Sequence, residues 1–319
     1  MTKFNFAEWN EDIVFEWLKL LKLKLRTKNI THDMLVQGLR EAGSRFQSEH
    51  PLAFPLLNVI NRVVNLSMNP GTLRKFRATK NLTNILSDLH SMIELPSLEN
   101  DASFEELTDE LLSAETDTEE IVALAQKHLL ANNVTMIYAS SKLAIEFALK
   151  AVEKPGVSVI LVKNTLIENY VGFMPDLIEN YTVIPDICAL SFMHRVDKFF
   201  IDAFAVLADG SLLHDAGLCG LCTAAREFAV PVIVLAPLYK FTPFYAFSQE
   251  TFNTHISPLS HWPELRGYNS IDFMLLKFDH IPAECVKVIV SQAGEFPPPF
   301  VFRALAEYYG CSELGYNFK

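Results

Sequence analysis

Apolar residues in the first third of the chain recur at helical intervals. Phe6, Trp9, Ile13, Trp17 and Leu21 are spaced by three to four, which places them on one face of a helix. Thr31 is suited to cap a second helix carrying Met34, Leu35 and Leu39. A third spans Pro51 to Ser67, with Leu56, Ile60 and Val63 on one side. Residues 97–103 form a polar break. Beyond it, Thr116-Asp117-Thr118-Glu119-Glu120 opens a helix whose early acids complement its dipole and which runs to about Asn132.

The period then changes. Val134–Tyr138, Val157–Lys163, Tyr181–Ile184, Lys198–Ala203, Val230–Leu235 and Val286–Val290 are short, nearly continuous apolar runs, most of them separated by helical stretches of about ten to fifteen residues. Such alternation predicts a parallel sheet covered on both faces. The expected fold class is therefore α/β, with a helical N-terminal domain over residues 1–120 and a Rossmann-like doubly wound parallel-sheet domain over 121–319. Ligands in such sheets bind at the carboxyl ends of the strands.

Composition narrows the function class. Half of the 319 residues are hydrophobic and a fifth are charged, which excludes a disordered chain. There is no run of eighteen apolar residues and no signal-peptide order at the start, so no membrane partner is expected. Five cysteines fit reduced thiols in a cytoplasmic protein better than a disulfide framework. The net charge of −11 is uneven: residues 1–80 carry +6, residues 81–120 carry −12 and the remainder −5. An acidic chain argues against direct nucleic-acid binding. The basic first quarter suits either an acidic or phosphorylated partner or an ordinary solvated face.

Local chemical signals are sparse. Cys219-Gly220-Leu221-Cys222 is a lone CxxC with no second ligand pair for zinc, which favours two side chains on a buried helix starting near Gly217. No glycine-rich phosphate loop is present, and no cofactor or metal is expected. Ser140-Ser141-Lys142 follows the first strand and begins a helix, as a cap or as an anion contact. Asp209-Gly210-Ser211 is a turn. The nine histidines are scattered and read as structural or solvated. Residues 239–247 concentrate aromatics; Tyr239, Lys240, Phe241, Phe244 and Tyr245 form either a partner interface or a satellite core under a loop.

Three stretches carry a family resemblance: Met193–Gly210, MHRVDKFFIDAFAVLADG; Ala224–Phe241, AAREFAVPVIVLAPLYKF; and Phe278–Glu284, FDHIPAE. They resemble the regulatory subunits of eukaryotic translation initiation factor 2B and the sugar-phosphate isomerases related to them. Isomerases resembling this chain carry an Asp where Phe204 stands and a Cys after the first strand, where this chain reads Ile137-Tyr138-Ala139-Ser140-Ser141. Their Asn-Lys-Ile-Gly-Thr-like segment is His214-Asp215-Ala216-Gly217-Leu218 here, and Asp202 occupies a usual Gly. Phe cannot replace a carboxylate in proton transfer. The resemblance thus implies a degenerate ligand pocket at Ser140, Ser141, Phe204 and Asp209, and no catalysis.

Among the regulatory subunits, the beta type is the most similar. Ser141-Lys142-Leu143-Ala144 after the first strand and the ending Pro298–Tyr309, PPFVFRALAEYY, carry that likeness. The resemblance implies assembly with alpha, delta, gamma and epsilon subunits in a heterodecamer. That complex exchanges GDP for GTP on initiation factor 2 and senses phosphorylation of its alpha subunit. The alternatives are another assembly-forming binding protein of this fold, or an isomerase.

Overall fold

The computed structural model describes residues 32–49, 54–68, 114–163, 181–246, 255–256, 275–276 and 278–309. Two compact units are present, one of Met1–Glu115 with Ala306–Lys319 and the other of Thr116–Leu305. The unit boundary lies five residues before the expected 120/121 division, and the last residues group with the first unit.

In the first unit, α1 (His32–Glu49) and α2 (Phe54–Met68) pack on each other. Leu39, Leu56 and Ile60 are buried, as their spacing requires. Arg62, Asn58 and Asn61 are buried on α2 as well. The helix expected over Phe6–Leu21, the Thr31 cap and the polar break lie outside the described residues.

Helix α3 (Ala114–Ala125), which starts two residues before the second unit, is followed by a 3-10 turn over Gln126–His128 and so ends short of the expected Asn132. The strands are β1 (Val134–Tyr138), β2 (Ser158–Lys163), β3 (Tyr181–Pro185), β4 (Lys198–Asp202), β5 (Ala205–Val206), β6 (Leu212–Asp215), β7 (Val232–Leu235), β8 (His255–Ile256), β9 (Leu275–Leu276), β10 (Phe278–Ile281), β11 (Val288–Ser291) and β12 (Gly294–Phe296). Seven of them form one sheet in the order β12-β11-β7-β4-β1-β2-β3. All pairs in it are parallel except β11–β12. Chain order reverses between β1 and β4, the doubly wound arrangement in which a crevice opens at the strand ends.

The other described α-helices are α4 (Lys142–Val152), α5 (Asp186–Phe192), α6 (Leu218–Glu227) and α7 (Val301–Tyr309), and further 3-10 turns cover Met193–Arg195, Leu238–Lys240, Ala283–Cys285 and Pro298–Phe300. Leu143, Phe147, Ala148 and Ala151 recur at helical spacing on α4 and join Ile137, Phe200, Ile233 and Val290 in the core. Phe147 and Phe200 pack with ring centroids 4.6 Å apart. A smaller antiparallel sheet, β10-β6-β5, has no counterpart in the expected strands, because runs of two to four residues carry no periodicity.

Candidate functional site at the strand ends

The carboxyl ends of β1, β4 and β7 bring polar groups to one corner. Ser140 leaves β1 two residues after Tyr138, Asp202 is the last residue of β4, and Lys240 ends the 3-10 turn that follows β7. His214 comes from β6, whose pairing with β10 sets Asp279 opposite it. Asp202, His214 and Lys240 are buried.

The contacts converge on one carboxylate oxygen. His214 Nε2 lies 2.9 Å from Asp202 Oδ1, and the Ser140 hydroxyl donates to the same oxygen. Ser140 Oγ is also 3.1 Å from His214 Nε2. Tyr138 meets the His214 ring edge-on, centroids 5.4 Å apart.

Burial alone would raise the Asp202 pKa. The hydrogen bond and charge of His214, the charge of Lys240 and the Ser140 hydroxyl outweigh it and hold the carboxyl well below its usual range. Burial pulls His214 down, but its hydrogen bond to Asp202 and the charges of Asp202 and Asp215 win, and its pKa rises. Burial pushes the Tyr138 phenol well above its ordinary value.

Ser, His and Asp are the members of a nucleophilic triad, but the geometry is not one. A triad bridges serine and carboxylate with opposite ring nitrogens of the histidine. Here Nε2 faces both, and the serine proton is held by the carboxylate itself. The arrangement ties the three side chains to one another instead of lining them up as a relay.

The remaining anticipated pocket residues have other contacts. Ser141 caps α4, accepting from the Ala144 N–H at 3.2 Å. Phe204 stacks on Phe278, centroids 4.5 Å apart. Asp209 is exposed and accepts from the Ser211 N–H at 2.9 Å and the Ser211 hydroxyl at 2.5 Å.

The aromatic segment divides. Phe241 is buried, edge-on to Phe296 at 6.5 Å, and Lys240 is buried with its charge felt by Asp202. Tyr239 and Phe244 are half-buried, and Tyr245 is 37% exposed. Backbone bonds from Thr242 N to Val206 O (2.8 Å) and from Ala208 N to Phe244 O (3.0 Å) pin the segment to the β5 strand and the turn after it. Phe247 lies outside the described residues.

Cys219 and Cys222 are free thiols on α6, half-buried and buried, and burial raises both pKa values. Asp279 accepts from the Gly217 and Cys219 N–H groups, satisfying the start of that helix. Among the described residues no group of three or more His, Cys, Asp or Glu is placed to hold a metal ion, and no helix is long and apolar enough to cross a membrane.

In the sequence Lys240 stands among the interface candidates, Asp202 only at a usual Gly, and His214 among scattered histidines and at the head of the segment His214-Asp215-Ala216-Gly217-Leu218. The available signal is Asp202 at the end of the apolar run Phe199-Phe200-Ile201, since a carboxylate buried there requires cationic partners.

The model of the Initiation factor 2 subunit family matches residues 10–298. The chain belongs to that family. Translation initiation factor eIF2B subunit beta of Dictyostelium discoideum is 29% identical over 218 residues, covering 66% of this chain and 55% of that protein. The chain thus spans little more than half of that relative. The subunit of the same name from Schizosaccharomyces pombe is 23% identical over 354 aligned positions, covering 90% of this chain and 88% of that protein. The fold is shared with the tetrameric eIF2B-beta2-delta2 complex from C. thermophilum, at a TM-score of 0.64 and 23% identity, covering 93% of this chain and 87% of that one. The stretches that carry the initiation-factor likeness also build the corner. Met193–Gly210 contains Asp202, Ala224–Phe241 contains Lys240, and Phe278–Glu284 contains the strand paired with His214.

Proposed function

We propose that this chain is a non-catalytic regulatory subunit, most like the beta subunit, of the guanine-nucleotide exchange complex that reloads translation initiation factor 2 with GTP. In this reading it assembles with alpha, delta, gamma and epsilon subunits in the cytoplasm. Through the assembly it responds to phosphorylation of the alpha subunit of initiation factor 2. It needs no cofactor, nucleic acid or membrane.

The observation that carries the reading is family membership over residues 10–298, together with beta-type relatives over most of the chain. The strand-end corner supports the non-catalytic part. Proton transfer on a sugar needs a group free to take a proton at the substrate carbon. Ser140, Asp202 and His214 are engaged with one another, and Phe204 is stacked on Phe278.

Purification of the tagged chain from its own cells, read by mass spectrometry, tests the assembly. The expected result is stoichiometric recovery of the other four subunits, with nucleotide release from initiation factor 2 accelerated by the eluate. Recovery of the chain alone or as a homo-oligomer, with turnover of ribose 1,5-bisphosphate or methylthioribose 1-phosphate, overturns it.

A further inference from the structure

The corner has the donor set of an anion site. The Ser140 O–H and His214 Nε2–H point at one position, and the Lys240 charge reaches it. It sits where chain order reverses, directly before α4, an eleven-residue helix capped by Ser141. Helix N-termini at such points favour negative charge. What occupies the position is the Asp202 side chain, buried at the end of β4.

We propose that Asp202 is a built-in ligand: its carboxylate fills the oxyanion position at the ends of β1 and β4, between Ser140 and His214, so that the chain supplies in cis the charge a small acidic molecule would otherwise bring. The corner is closed to exchangeable anions because its own residue is seated there. It is sized for a carboxylate: the position is filled by the single carboxyl group of the buried Asp202 side chain, held by Ser140 and His214, and a tetrahedral phosphate is larger than that group. The inference deepens the non-catalytic reading of this site and rests on it only in that no substrate is needed there.

Replacing Asp202 by Ala removes a group the size of formate. The test is the melting temperature of the full-length D202A chain in sodium formate, sodium phosphate and sodium chloride at equal ionic strength, at pH 7. Ligand that binds only the folded state raises the melting temperature saturably. Formate is expected to raise that of D202A by several degrees over chloride, with little effect from phosphate. Neither anion should shift the wild type.

D202N keeps the side-chain volume, fills the hole and should show no rescue. If D202A folds only when refolded in formate, the proposal stands. If it folds in neither salt while D202N folds, the position is a packing requirement and the proposal fails. Saturable stabilisation of the wild type, absence of formate rescue in a folded D202A, or rescue by phosphate and not by formate each overturns it. These readouts are independent of subunit recovery and isomerase turnover, so the inference and the functional reading fail separately.

Discussion

A β-carbon on Gly210 would lie 2.4 Å from the carbonyl oxygen of Pro298. Gly210 has φ +82° and closes the turn between β5 and β6, its N–H bonded to Leu207 O at 2.9 Å. Two penalties therefore coincide for any other residue, a left-handed backbone and overlap with a backbone atom that has no rotamer to yield. G210A should cost about 2 kcal/mol or more. Urea denaturation of the full chain measures it, and a loss below about 0.5 kcal/mol would show that the two segments part easily.

The Asp202–His214 pair gives stability a defined pH window. The His214 pKa is raised on folding, so its contribution is complete below the ordinary value of about 6.5 and is lost as pH rises through the folded value. The Asp202 pKa is lowered, so its contribution is present above about 3.9 and is lost as pH falls through the folded value. H214Q leaves the buried Asp202 carboxylate with only the Ser140 hydroxyl and the Lys240 charge, and should destabilise by roughly 3 kcal/mol near pH 5.5. The gap to wild type should narrow at higher pH without closing, because neutral imidazole still donates from Nε2. A gap that widens with pH would contradict the pairing.

The aromatic segment separates core from surface within five residues. F241A removes a buried ring packed on Phe296 and should cost about 3 kcal/mol or more in the isolated chain. Y245A removes a side chain that is 37% exposed and should leave that stability within about 0.5 kcal/mol. If the exposed end contacts a partner subunit, Y245A should also weaken association, by about 1–2 kcal/mol in a native mass spectrometry titration. Intact assembly with a lowered melting temperature for Y245A would place Tyr245 in the local core.

The α6 thiols should be unreactive. Burial raises the Cys219, Cys222 and Cys285 pKa values, and Cys222 is the most enclosed of the three. The thiolate is the reacting species, so site-resolved alkylation at pH 7.5 should run at least about tenfold faster in the denatured chain than in the native one. Equal rates would mean that α6 opens freely. Elemental analysis should find no stoichiometric zinc.

The parallel sheet was legible because each central strand is a continuous apolar run. Val134–Tyr138 matches β1 end for end, and the other five expected strands match within two residues at either end. The small sheet was not legible, since Ala205–Val206 and Leu212–Asp215 are too short to show a period and are ordered by their neighbours. The same topology hides the site. Asp202 and His214 stand twelve positions apart on different sheets, and Lys240 arrives from a third strand end, so no spacing rule connects them. Only the cost of an acid within apolar sequence points to partners, and it does not say which.

The Asp202–His214 contact also constrains how the chain can change over time. Asp202 without His214 keeps only the Ser140 hydroxyl and the Lys240 charge, and His214 without Asp202 loses the hydrogen bond and charge that raise its pKa. A substitution at one position costs stability that a matching loss of charge at the other recovers in part. Reversal therefore requires a passage through a less stable sequence, whichever residue moves first. The corner thus resists piecemeal change: with the carboxylate and the imidazole both in place, stability alone favours keeping the pair, with no ligand or reaction needed.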